Sequence, residues 1–206
     1  QTLEESAAMY LAEKAVLAAN GSPRATRDDD RGPSTLRTCA LRPCGMYGEA
    51  DPYHVGSVLD MARRGLLRFR MGDGRARFQA VYVGNVAHAH VLAAKRLLDG
   101  DDAVAGQVYL VTDHPAQNFF DFMEPIVRGV GLPFPPPGRT VPFAPLYGLA
   151  ALVEGGARAL RPIVRLAPIL TRSSVTLVCH DFSFRGDKAA RELGYAPIYG
   201  RDEAIA

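Results

Sequence analysis

Tyr10 and Lys14 stand four residues apart in the stretch MYLAEKAVLAANG, so on a helix they share one face. A free phenol ionises near pH ~10, and a neighbouring ammonium favours the phenolate. Such a pair can take the proton of an alcohol near neutral pH. The other chemistry-bearing residues offer less. Cys39, Cys44 and Cys179 form no CxxC, and Cys44 has no histidine partner in sequence reach, which argues against a thiol nucleophile. An odd, unframed cysteine count suits free thiols in a reducing compartment. His88 and His90 are two apart and diverge on a helix, so no metal site is read.

The elements that would position these residues can be read along the chain. Leu3–Ala19 is rich in Ala, Leu and Glu without Pro or Gly, and predicts a helix. Residues 20–34, with their Asp and Arg run, read as a solvated loop. TLRTCALRP alternates as a strand, with Leu36, Thr38 and Ala40 on one side and Arg37, Cys39 and Leu41 on the other. Pro43 ends it in a Gly-bearing loop, and a helix is expected from His54 to Arg64, stopped by Gly65. Phe78–Val83 reads as a strand, with Asn85 capping a helix Val86–Leu98 and Gly100 after its end. GQVYLVTD predicts a further strand and Asn118–Val130 a helix. MGDGRARF reads as a hairpin turn. FSFRGDKAARELGYAP opens as a strand, then a short helix capped by Asp187, with Gly194 at its end and Pro197 beyond. Alternating strands and helices indicate an α/β fold.

The 206 residues suit one sizeable domain or one and a half smaller ones, and 48% apolar with 22% charged residues is a globular composition. A net charge of +2 with mixed signs gives no electrostatic case for nucleic acid. Only Lys14, Lys95 and Lys188 are lysines among 24 basic residues. Val141–Val153 is apolar but too short to cross a bilayer. The wider segment 140–170, preceded by Arg139, carries Arg158, Arg161 and Arg165 against Glu154 alone. It suits either peripheral contact with a membrane surface or a cover over a substrate pocket. The opening at Gln1, already in helical sequence, suggests a longer protein whose beginning is not included.

TCALRPCGMYGEADPYHVGSVLDMARRGLLRF, VYVGNVAHAHVLAAKRL, AGQVYLVTD and DKAARELGYAP, in this order and spacing, resemble the second half of an extended short-chain dehydrogenase/reductase. More narrowly, they resemble the 3β-hydroxysteroid dehydrogenase family, and within it family 42E, from about Leu11 to Ala204. The resemblance implies the C-terminal portion of an extended Rossmann-type fold with the small substrate domain. Residues 1–48 would close the Rossmann-type domain, and 49–206 would form a mixed substrate-side region with returning sheet elements. It further implies NAD- or NADP-dependent oxidation of a sterol 3β-hydroxyl, an intracellular location, and association with the endoplasmic reticulum membrane. The loop after the RP strand would approach the nicotinamide through Pro43, Cys44 and Met46, mainly by backbone contacts, with a structural Pro-Gly turn as the competing reading. Tyr47 and Gly48 would shape that loop. Tyr53 and His54 would either border the substrate mouth or lie in a solvated loop, and Phe119, Phe120 and Phe122 read as helix packing.

No Gly-rich strand–turn–helix seat for a pyrophosphate is present in the sequence. The resemblance also sets a register for the catalytic pair. An Ala-Glu pair is expected three and four residues after the lysine, and here Ala12-Glu13 projects the lysine onto Met9 and the tyrosine onto Glu5. Tyr10 and Lys14 are displaced by five residues, which is about 140° around a helix. Two readings follow: Tyr10 and Lys14 as the catalytic pair, or as surface residues in a chain that does not turn over alone. The second admits a catalytically degenerate relative that binds a sterol, a membrane or a partner subunit.

Overall fold

Val86, Ala89 and Ala93 recur at helical spacing, and the computed structural model buries all three in one core. It describes residues 3–23, 35–160 and 168–205. The Asp and Arg run of the 20–34 loop lies outside the described residues, as do Arg161 and Arg165. In chain order the first elements are α1 (Leu3–Ala18), β1 (Ala40–Pro43), β2 (Gly45–Tyr47), α2 (Val55–Arg63), β3 (Arg70–Met71) and β4 (Ala80–Tyr82). Next come α3 (Val83–Leu98), β5 (Val108–Val111), α4 (Phe119–Gly129) and β6 (Thr140–Val141). Helices α5 (Phe143–Leu160), α6 (Arg172–Cys179), α7 (Asp187–Leu193) and α8 (Arg201–Ala204) complete the chain.

The chain divides into two units. The first holds residues 1–44, 81–113 and 184–200, and the second residues 45–80, 114–183 and 201–206. In the first, β1 and β5 run parallel, pairing Ala40 with Val108, Leu41 with Tyr109, Arg42 with Leu110 and Pro43 with Val111. Parallel strands cannot be joined by a hairpin, and a long crossover separates these two in sequence. One core packs α3 against Tyr109, Val111, and Ala189 and Leu193 of α7. Gly194 ends α7 at φ 71°, a left-handed cap that costs a residue without Cβ little.

In the second unit, Leu146 and Ala150 of α5 meet Val175 of α6, with Met71 and Val141 of the parallel pair β3–β6 against them. Asn118 caps α4 by accepting from the Phe120 amide at 2.9 Å. Phe119, Phe120 and Phe122 are buried as packing residues. Pro125 lies inside α4 and has no N–H to give the Asp121 carbonyl. The Arg201 guanidinium donates to that carbonyl instead, at 3.3 Å. Arg70 is buried, donating to Asp121 and Glu124 at 2.6 Å each and to the Pro135 carbonyl at 3.1 Å.

Four sequence expectations are corrected. The strand expected over TLRTCALRP is regular only from Ala40, because the Thr38 amide is held by Asn20 and its hydroxyl donates to the Val16 carbonyl. Gly72 and Gly74 do adopt positive φ, but no hairpin forms: β3 pairs in parallel with the distant β6. Phe182 makes a single bridge to Phe78 rather than opening a strand. Asn85 does not cap a helix, since α3 begins at Val83 after an extended Tyr82; its side chain has another task.

Candidate functional site

Ligands of parallel α/β sheets gather at the carboxyl ends of the strands. In the first unit those ends are Pro43–Cys44 after β1 and Thr112–Asp113 after β5. The Cys44 amide donates to the Val111 carbonyl at 3.1 Å and extends the ladder past the proline. Burial, and then the Asp113 carboxylate, push the Cys44 thiol up to about 12. At neutral pH it is a neutral thiol, with no thiolate for nucleophilic chemistry.

Asn85 is fully buried behind these ends and uses its whole amide. Its Nδ2 donates to Asp113 Oδ2 at 2.8 Å and to the Tyr199 carbonyl at 3.0 Å. Its Oδ1 accepts from the Ile198 and Tyr199 amides, each at 3.0 Å. The Tyr82 amide donates to the same Asp113 oxygen at 2.6 Å. Asn85 thus clasps the C-terminal loop to the start of α3 and fixes Asp113 at the end of β5. The Tyr195 hydroxyl is buried and has no hydrogen-bond partner among the described residues. Burial raises its pKa, and the Asp113 and Cys44 charges add to the effect.

Gly84 opens α3 directly after a strand, a setting that invites comparison with a phosphate-binding turn. A Cβ there would lie 2.6 Å from the Tyr82 ring and 2.8 Å from the Tyr199 ring. The glycine is therefore explained by two aromatic rings, which meet edge to face at 5.3 Å.

Tyr10 and Lys14 are brought together on α1. The Lys14 ammonium lies 5.6 Å from the Tyr10 ring centroid, and Tyr10 is 57% exposed. Helix α1 is anchored by Arg42, which donates to both Glu13 oxygens at 2.7 and 2.6 Å. That contact holds the Glu13 carboxyl below its usual range. Met46 lies in β2 of the second unit with its side chain exposed. There too, the Tyr47 hydroxyl and His114 Nε2 share a 2.8 Å hydrogen bond, and the Tyr47 ring meets Phe122 edge-on at 5.0 Å. Tyr53 is exposed, and the His54 ring sits 6.1 Å from Phe78. Asp113 and Tyr195 were missed by sequence reasoning. For Asp113 a signal existed, since a carboxylate directly follows an apolar strand in VYLVTD.

A profile of the 3-beta hydroxysteroid dehydrogenase/isomerase family matches residues 4–139. The chain belongs to this family. It is 39% identical to short-chain dehydrogenase/reductase family 42E member 1 of Macaca fascicularis over 199 residues, which are 95% of this chain and 48% of that protein. It is 35% identical to 3beta-hydroxysteroid-dehydrogenase/decarboxylase isoform 1 of Arabidopsis thaliana, over 84% of this chain and 40% of that one. The chain thus spans about half the length of the curated relatives it matches. Among solved structures, the human epimerase family protein SDR39U1 with NADPH aligns with a TM-score of 0.54 at 14% identity. That alignment covers 88% of this chain and 49% of that one, and it supports an α/β, Rossmann-type fold.

Proposed function

We propose that this chain is the substrate-side part of an NAD- or NADP-dependent oxidoreductase acting on a sterol 3β-hydroxyl, and that the 206 residues alone do not turn over. Family membership over residues 4–139 supports the reaction class. The observation that carries the second clause is that the sequence has no Gly-rich strand–turn–helix stretch, and that Gly84, which opens α3 after a strand, is packed against the Tyr82 and Tyr199 rings. The nicotinamide end fits better. Pro43 has no N–H and the Cys44 N–H is spent on Val111, so this turn has carbonyl oxygens to offer a carboxamide NH2. The cofactor, when bound, would accept the hydride from the carbinol carbon.

A second reading keeps Tyr10 and Lys14 as surface residues in a catalytically degenerate relative that binds a sterol, membrane or partner without oxidising a substrate. Two titrations separate the readings. NADH fluorescence with the 206-residue chain is expected to show no saturable binding, and tight binding would overturn the claim about the phosphate seat. Formation of NADH or NADPH from a 3β-hydroxysterol, by this chain joined to the upstream half of a 42E relative, is expected under the first reading. Dinucleotide binding by that chimera without turnover would favour the second.

A further inference from the structure

Helix α3 buries one side in the first unit and carries an apolar stripe on the other. Asn85, Val86, Ala89 and Ala93 are its buried residues. Val83, Ala87, Val91, Ala94 and Leu98 are exposed, and Leu98 is 85% accessible. At about 100° per residue these five fall within an arc of about 80° that points away from the core. No charged residue interrupts the arc. Lys95 and Asp99 stand at one rim, where their formal charges cancel, and Arg96 projects elsewhere, beside Asp101 at 3.7 Å. His90 stands at the other rim, its Nδ1 turned back to the Val86 carbonyl at 2.9 Å. Scattered exposed leucines are ordinary, but an uncharged stripe running the length of a helix marks a contact surface.

We propose that this stripe is a self-association surface, on which α3 of a second copy of the chain packs antiparallel about a two-fold axis. Spacing identifies the occupant. Val83 and Leu98 lie equally far from the midpoint between His90 and Val91, and so do Ala87 and Ala94. The stripe therefore matches itself when one copy is reversed, which is the condition an isologous contact imposes. Leu98 of one copy would meet Val83 of the other, beside the exposed Tyr199 ring that packs on Gly84. Ala87 would meet Ala94, and both are small enough for the helix axes to approach to about 8 Å. Charge agrees with the reversed arrangement. Antiparallel helices set unlike ends of their dipoles side by side, and Asp99 of one copy would lie near the positive amino end of the other. An anionic bilayer is the poorer match, since it selects a rim rich in lysine and arginine, and this rim has no net charge. One helix face per copy falls below about 1,200 Å² of total buried area, the range of weak and transient association. A concentration-dependent equilibrium follows, rather than a permanent dimer. Association of this kind does not depend on the oxidoreductase reading, and no nucleotide enters its test.

Sedimentation equilibrium of the 206-residue chain, from low micromolar to near-millimolar concentration, is expected to show reversible dimers. Ala94→Glu, a change at an exposed position, is expected to weaken them more than about tenfold, because each carboxylate would be buried against Ala87. Ala87→Lys combined with Ala94→Glu is expected to restore association to within a few-fold of the parent, since an ammonium would then face each carboxylate across the axis. Cross-linking tests the register even if these variants impair folding. Val91→Cys is expected to give a disulfide-linked dimer with a copper–phenanthroline oxidant, because its two copies would lie beside the axis. Leu98→Cys is expected to give none above the parent's background. Its two copies would stand about 22 Å apart along the helices, against a Cα reach of about 7 Å for a disulfide. Several results would overturn the proposal. The parent could be monomeric throughout, or Ala94→Glu could associate as the parent does. The double variant could keep the parent's melting temperature and yet stay monomeric, or Leu98→Cys could link as readily as Val91→Cys. A monomeric parent that floats with lipid vesicles, and loses this with Leu98→Glu, would assign the stripe to lipid instead.

Discussion

Replacing Asn85 by alanine tests the clasp between the carboxyl end of β5 and the C-terminal loop. The substitution removes four hydrogen bonds at once, two donated and two accepted. A neutral intramolecular bond contributes about 1 kcal/mol net, and one to a carboxylate about 1.5–3 kcal/mol. Three neutral bonds and one charged one would sum to about 5 kcal/mol. Part of this is recovered, because Ile198 and Tyr199 are exposed enough for water to reach their amides, and Asp113 keeps the Tyr82 amide. The expected loss is therefore about 3–4 kcal/mol, read as a shift in the urea midpoint. Amide exchange supplies a local readout, since Ile198 and Tyr199 should lose protection selectively. Asn85→Asp sharpens the test. Its carboxylate would face Asp113 across 2.8 Å, so its folded-state pKa is raised. The variant should then be least stable at neutral pH and regain stability as the pH falls and that group protonates. A loss below about 1 kcal/mol for Asn85→Ala with protection retained would refute the clasp.

Cys44 should resist alkylation at neutral pH and react only as the pH approaches about 12. Its folded-state pKa is raised, so its contribution to stability is complete below about 9 and is lost as pH climbs from 9 towards 12. Glu124 shows the opposite sign. Hydrogen bonds from Arg128 and then Arg70 hold its carboxyl low, so its contribution is present above about 4.5 and disappears on acidification, which an acid titration of stability would detect. Arg70→Met should lower stability by about 3 kcal/mol in denaturant titration, because Asp121 and Glu124 lose a buried guanidinium. Tyr10→Phe, made in a turning-over chimera, should leave the rate nearly unchanged, and a fall by orders of magnitude would restore Tyr10 as the catalytic base.

Local patterns carried most of the fold. Periodicity in VYVGNVAHAHVLAAKRL and the helix read over Asn118–Val130 match α3 and α4 to within a few residues, because buried faces repeat locally. Strand pairing is not local, and there the reading failed. Nothing in RMGDGRARF says that Arg70 and Met71 will pair with Thr140 and Val141, seventy positions away. Asn85 failed for a related reason. A polar residue near a helix start satisfies the capping rule, yet its partners at Asp113, Ile198 and Tyr199 are visible only once the chain is folded. Arg70 likewise gave no signal, since a lone arginine in an arginine-rich chain reads as surface.

The same division governs the candidate site. A tyrosine–lysine spacing is a statement about one helix, whereas a proton relay requires that helix to point its residues at a substrate held by other elements. Here the Lys14 ammonium sits over the face of the Tyr10 ring, an arrangement worth about 0.5–1 kcal/mol at an exposed position. The ring remains more than half open to solvent. The Asn85 amide, by contrast, is fully buried, uses all of its hydrogen-bonding capacity and is placed near where parallel strands end. Buried polar groups are expensive unless they are partnered, and here one amide unites the end of β5, the start of α3 and the C-terminal loop. If the family chemistry is to be assembled on this chain, that network fixes Asp113 at the end of β5, the strand whose Val111 carbonyl accepts from the Cys44 amide.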